Sequence, residues 1–162
     1  MESAHSGPIV RRTAVALFRR WFGDESRWLV CLDERQWRPE LIEAECLEND
    51  KFREALDREI AWRLRLDRGK DYIISQVPRI HRELVSRHVR RSGEQENVLE
   101  VIEFFIVEPF GTQVFDSLDG NLAVQWWTVG EMLGERGSEE WRLPQRQRDL
   151  LKVSDVFSGC RP

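Results

Sequence analysis

The sequence predicts an α/β protein, a mixed sheet with helices packed on it. Three features predict it. Apolar runs of strand length outnumber helical stripes. One long helical stripe, residues 48–66, sits mid-chain between two groups of strands. Val98 to Val107 reads V-L-E-V-I-E-F-F-I-V, nearly continuous in apolar character, as a strand covered on both faces requires. Strand groups on either side of a helix suit a layered domain.

The elements follow in order. Residues 1–9 are polar, with Gly7 and Pro8, and are expected to form a flexible arm. Arg12 to Arg19 (R-T-A-V-A-L-F-R) and Arg27 to Leu32 (R-W-L-V-C-L) are β-rich runs around the break at Gly23–Asp24, so they read as a hairpin. In the 48–66 stripe, Phe52, Leu56, Ile60 and Leu64 step by four. Asn49 and Asp50 are N-cap candidates, acidic residues come early and basic ones late, and Gly69 supplies the stop. Asp71 to Val77 reads as a strand ending at Pro78. Arg79 to Arg91 fits either a twisted edge strand or a short helix, since Ile80, Leu84, Val85 and His88 make a helical stripe. Gln113–Phe115 and Ala123–Thr128 read as short strands around the turn Asp119–Gly120–Asn121. Val129–Leu133 begins like a short helix, and Pro144–Val153 is the last helix, with proline near its start.

The 162 residues suit one domain, expected over residues 10–158, and such a chain buries about 70% of its unfolded surface without staples. Lys+Arg 25 against Asp+Glu 29 gives a net charge of −4, which leaves no global basic field for nucleic acid or an acidic membrane. The three cysteines, Cys31, Cys46 and Cys160, have no C-x-x-C spacing, so neither a disulfide framework nor a zinc ribbon is expected. The N-terminus has no apolar h-region, and apolar stretches fall short of the ~20 residues that span a bilayer. A reducing, cytoplasmic setting is expected. Seven Trp is a high count, and some should be core or pocket wall.

Candidate binding residues come from two places. Arg79, Arg82, Arg87, Arg90 and Arg91 form the one basic cluster of an acidic chain. Arginine grips phosphate bidentately, so Arg79 and Arg82 are candidate ligand residues, and a charged solvent-facing edge is the plainer reading. His81 and His88 lack a metal-binding context in sequence. Trp126 and Trp127 adjoin in a strand and face opposite sides, one toward the core and one free to stack on a flat ligand; Trp126 is the candidate. Glu103 alternates with Val101 and Phe105 and points to one face of its strand, as a site carboxylate or as the ion-pair partner of a helix arginine. No Walker motif, G-x-S-x-G elbow or H-E-x-x-H is present.

The order of elements and three strings resemble the Nudix hydrolase family. R-T-A-V-A-L-F-R with W-L-V-C-L resembles the first hairpin, and Val124 to Leu133 (V-Q-W-W-T-V-G-E-M-L) the closing strand and helix. Glu54-Ala55-Leu56-Asp57-Arg58-Glu59-Ile60 resembles the centre of the Nudix box, R-E-U-x-E-E-x-G-U after an upstream G-x5-E. The resemblance spans about residues 10 to 135 and implies an α/β/α sandwich with a mixed sheet. Arg58, Glu59 and Ile60 match R-E-U; the paired glutamates fall on Trp62 and Arg63, the glycine on Arg65, the upstream glutamate on Asp50 and its glycine on Ala44. Hydrolysis of a diphosphate linkage uses Mg²⁺ or Mn²⁺ held by carboxylates, which on one helix must stand at i, i+3 and i+4. Here those positions are Glu, Trp and Arg.

The expectation is therefore a Nudix-like domain that has lost metal-dependent hydrolysis and serves as a ligand-binding or protein-interaction module, with no cofactor. Its partner would be a phosphate-bearing small molecule or another protein. Arg63 would stand in for the metal and pair with Glu59 one turn away. The alternative is an active Nudix hydrolase, cleaving a nucleoside diphosphate linked to another moiety with Mg²⁺ or Mn²⁺ on non-standard ligands: Glu59 and Glu103, with Glu45, Glu48 and Asp50. A third reading is a partner subunit that binds another chain through a Trp-rich surface.

Overall fold

A computed structural model describes residues 7–135 and 138–159. Most of the expected arm, and Cys160, lie outside the described residues; Ile9 already belongs to β1. The strands are β1 (Ile9–Phe22), β2 (Glu25–Leu32), β3 (Pro39–Glu40), β4 (Ile42–Glu45), β5 (Tyr72–Ile74), β6 (Ile80–Val89), β7 (Gln95–Pro109) and β8 (Val124–Trp127). The helices are α1 (Phe52–Leu64), α2 (Thr112–Asp119), α3 (Val129–Met132) and α4 (Gln145–Ser154).

The sheet runs β3-β2-β1-β7-β5, with β4 on β1, β6 on β7 and β8 on β2. The β1–β7 pair is parallel, Ile9 opposite Val98 through Phe18 opposite Val107, and the others are antiparallel. Strand periodicity sorts the core into two layers. Ala14, Ala16 and Phe18 of β1, with Phe105 and Val107 of β7, meet Leu56, Ile60 and Leu64 of α1 and Val114 and Leu118 of α2. Val15, Leu17, Ile102 and Phe104 meet Val129 and Met132 of α3 and Leu150 and Leu151 of α4 on the other face. This is the expected α/β/α sandwich. Trp126 and Trp127 face opposite layers, as their adjacency in a strand requires.

Several boundaries moved. The α1 N-cap is Lys51, whose N–H donates to Glu54 at 3.0 Å. The helix stops at Leu64 rather than near Gly69, because Arg65 takes the left-handed conformation, φ 56° and ψ 40°, and donates its N–H to the Ala61 carbonyl. Residues 113–115 are helix α2, not strand: Val114 and Leu118, one turn apart, bury together under the sheet. The ambiguous 79–91 segment is an edge strand, its even residues turned toward α4 and its odd residues exposed. Among the described residues no helix is long and apolar enough to cross a membrane.

Candidate functional site

The loop between β4 and α1 is held by one side chain. Arg12 of β1 donates to the carbonyls of Asp50 at 2.8 Å, Leu47 at 3.0 Å and Glu48 at 3.3 Å, and lies over the Phe52 ring. Asp50 closes the loop from inside, accepting from the Leu47 N–H at 2.8 Å and from Arg58 at 2.6 Å. The Arg58 hydrogen bond, then the Leu47 one, holds the Asp50 carboxyl below the usual carboxylate range. Asp50 thus serves the loop and α1.

On α1, Glu59 is half-buried, with no hydrogen bond or ion pair among the described residues. The expected Glu59–Arg63 pair does not form. Arg63 instead donates to Glu40 of β3 at 2.6 Å, across the helix–sheet seam, where both side chains are largely shielded from water. Glu103 is not bound by a helix arginine either: its Oε1 lies 3.0 Å from His81 Nδ1 on the neighbouring strand, and His81 Nε2 lies 3.3 Å from Glu83. His81 does have acidic neighbours, brought by register rather than by sequence. Glu45 pairs with Arg11 at 3.5 Å.

The Glu103 hydrogen bond, then that to Glu83, raises the His81 pKa above the usual imidazole value. A raised folded-state pKa stabilises the fold fully below the unfolded value, and that contribution is lost as pH rises through the folded one. His81→Gln, which cannot charge, is expected to lower the melting temperature most at pH ~5.5 and least at pH ~8. A gap between parent and variant that is constant with pH, in paired thermal melts, would refute this.

A cleft of about 450 Å³ opens where the end of β2, the end of α1 and the start of β8 meet. Cys31, Arg35, Trp62, Arg63, Arg65 and Asn121 contribute to its wall. Trp62 is 80% exposed. Cys31 is no nucleophile: burial pushes its thiol up to about 11. Arg79 and Arg82 lie on the opposite side of the sheet. Arg82 of β6 donates to the Val153 carbonyl of α4 at 3.2 Å, and Arg79, just before β6, to the carbonyls of Val156 and Ser158, just after α4, so both are engaged by the C-terminal segment. Trp126 packs in the α1 layer under the Arg20 guanidinium, 5.4 Å from its ring centroid. The sheet separates Trp126 from Arg79 and Arg82, so the three cannot grip one ligand.

No family model and no curated protein matches the sequence. Solved structures do match the fold. A Caenorhabditis elegans Ap4A hydrolase is 11% identical, with 93% of this chain and 95% of that chain covered and a TM-score of 0.54. The Nudix domain of Shewanella oneidensis NrtR, complexed with ADP ribose, is 12% identical over 96% of this chain and 90% of that one, with a TM-score of 0.50. The chain spans 59% of the longer NrtR chain solved with a 27mer DNA, at 11% identity, 88% coverage of this chain and a TM-score of 0.51. This chain has the Nudix fold.

The Nudix placement explains Arg65. The box glycine falls on this residue, and its backbone keeps the left-handed conformation that glycine adopts without strain. On the box placement read from the sequence, Trp62 and Arg63 fall at the paired-glutamate positions. The residues do not fit the divalent ion that this fold family uses. Glu59 is the one carboxylate left among those helix positions, and the guanidinium charges of Arg58 and Arg63 both act on it. Among the described residues no three His, Cys, Asp or Glu side chains gather as ligands. Sequence reasoning missed Arg12, Glu40 and the cleft. Arg12 lies in a strand run, 38 residues before Asp50, and only the β1–β4 pairing brings the two together.

Proposed function

We propose that this chain is a Nudix-fold module that binds a phosphate-bearing small molecule without hydrolysing it, in the cleft beside the end of α1. The observation that carries this reading is that Arg35, Arg63 and Arg65 line one cleft, with Asp33 and Glu34 also in its wall; the box placement, which puts Trp62 and Arg63 where paired glutamates would stand, supports it. Guanidinium groups hold phosphate oxygens through paired hydrogen bonds and need no metal. The exposed indole of Trp62 offers a plane on which a base can stack. The ADP ribose in the NrtR Nudix domain supports this ligand class and supplies the probe.

Calorimetric titration of ADP ribose in EDTA is expected to show binding, and incubation with Mg²⁺ or Mn²⁺ is expected to leave the ADP ribose intact. Turnover would sink the reading and support the metal-dependent hydrolase, with ligands among Glu45, Glu48, Asp50, Glu59 and Glu103. No binding would leave the protein-interaction reading in its place.

Arg65→Gly separates stability from binding. Glycine relieves the left-handed strain, so the fold should gain about 0.5–1 kcal/mol. Loss of the guanidinium should weaken ADP ribose roughly tenfold, the worth of one charge-assisted hydrogen bond. A variant that melts higher and binds as well as the parent would remove Arg65 from the site.

A further inference from the structure

The ten-residue strand β6 has β7 as its one strand partner among the described residues, which leaves its outer edge unpaired there. Sheet proteins blunt such edges with charge, proline or a bulge; Ile80–Val89 has no lysine or proline, and the charges it carries, Arg82, Glu83 and Arg87, are of both signs. Its odd residues, His81, Glu83, Val85, Arg87 and Val89, form an exposed row, with Val85 73% and Val89 68% exposed. Among the described residues no hydrogen bond or ion pair engages Arg87.

We propose that β6 pairs antiparallel with β6 of a second copy, joining two sheets into one across a two-fold axis at Val85. Symmetry makes the choice of register. A two-fold axis perpendicular to the sheet preserves its faces, so odd residues must stand opposite odd residues, or even opposite even. Centring on Glu83 or on Arg87 sets like charges against each other. Centring on Leu84 puts His81 opposite Arg87 and Glu83 opposite Val85, so no carboxylate meets a guanidinium. Centring on Ser86 leaves Glu83 opposite Val89 and Arg87 opposite Val85. Centring on Val85 places Glu83 of each copy opposite Arg87 of the other, twice by symmetry, and Val85 opposite Val85 between them. Opposite charges directly across an antiparallel pair are favourable, and like charges are not. The charges on this edge are therefore self-complementary, and the free guanidinium of Arg87 finds its carboxylate in the second copy. The even residues keep their contacts with α4, since Arg82 still bonds the Val153 carbonyl. The cleft at the end of α1 takes no part in this pairing, so the two proposals fail independently.

Sedimentation velocity over a wide concentration series is expected to show a dimer. Arg87→Glu, and separately Val85→Lys, should each sediment as monomers with melting temperatures close to that of the monomeric parent. The charge swap Glu83→Arg with Arg87→Glu should restore the dimer. A parent that stays monomeric at every concentration, a dimer that survives both single substitutions, or a swap that remains monomeric overturns the proposal.

Discussion

The double substitution Trp62→Glu with Arg63→Glu is expected to give the chain a manganese-dependent rise in melting temperature that the parent lacks. It sets carboxylates at 59, 62 and 63, on one side of α1 within a single turn. Hard cations need such an oxygen cluster. Trp62 is 80% exposed, so the new carboxylate there keeps its water. Position 63 is different. Arg63 bonds Glu40 at 2.6 Å, and replacing it by glutamate leaves Glu40 beside a second negative charge. The metal-free variant should therefore melt below the parent, and manganese should more than recover the loss. At a free ion concentration of 100 times Kd, mass action adds about 2.7 kcal/mol. For a domain of this size that is a rise of roughly 5–10 °C. If manganese raises the parent's melting temperature as far as the variant's, the account of the missing carboxylates fails.

Trp28→Ala is expected to cost about 3–5 kcal/mol, a large fraction of the 5–15 kcal/mol that holds a typical domain together. Trp28 is fully buried in the layer beneath α3 and α4, with its ring centroid 5.0 Å from that of Phe157. Alanine would leave a large cavity between the sheet and the C-terminal segment. Trp28→Phe should cost much less. The indole N–H has no hydrogen-bond partner among the described residues, so phenylalanine keeps most of the ring and removes an unsatisfied donor. Urea unfolding of both variants measures the contrast. Equal losses would mean that the N–H is satisfied in solution, by water or otherwise.

The core of the fold was legible where one period dominated. The step of four through Phe52, Leu56, Ile60 and Leu64 announced α1, and the unbroken apolar run announced β7. The edge strand β6 read both ways because its exposed face carries Val85 and Val89 while its inner face carries Arg82, Ser86 and His88, so the apolar alternation that marks a strand is missing from the sequence. Val85 looked like part of a helical stripe and is exposed. Helix α2 was misread because Val114 and Phe115 are β-formers in a segment too short to show a period, and tertiary burial of Val114 and Leu118 decided the matter. At the site, the identities of residues 59, 62, 63 and 65 were readable from the box pattern. The partners were not. Arg63 lies 23 residues from Glu40, and His81 lies 22 from Glu103, separations that only pairing and packing close.

The parallel contact between β1 and β7 also sets a schedule. Arg19 and Glu108, joined side by side across that pair, are 89 residues apart in the chain. A ribosome adding about 5–20 residues per second needs roughly 5–20 s to deliver the second strand after the first. Through that interval the apolar stretch Ala14–Phe18 has been made but cannot yet pair with β7, the strand that flanks it for most of its length. Topology dominated by such distant pairings folds slowly. The nascent chain is thus most exposed to wrong partners during synthesis, and a chaperone that shields Ile9–Phe22 would act where the architecture is weakest.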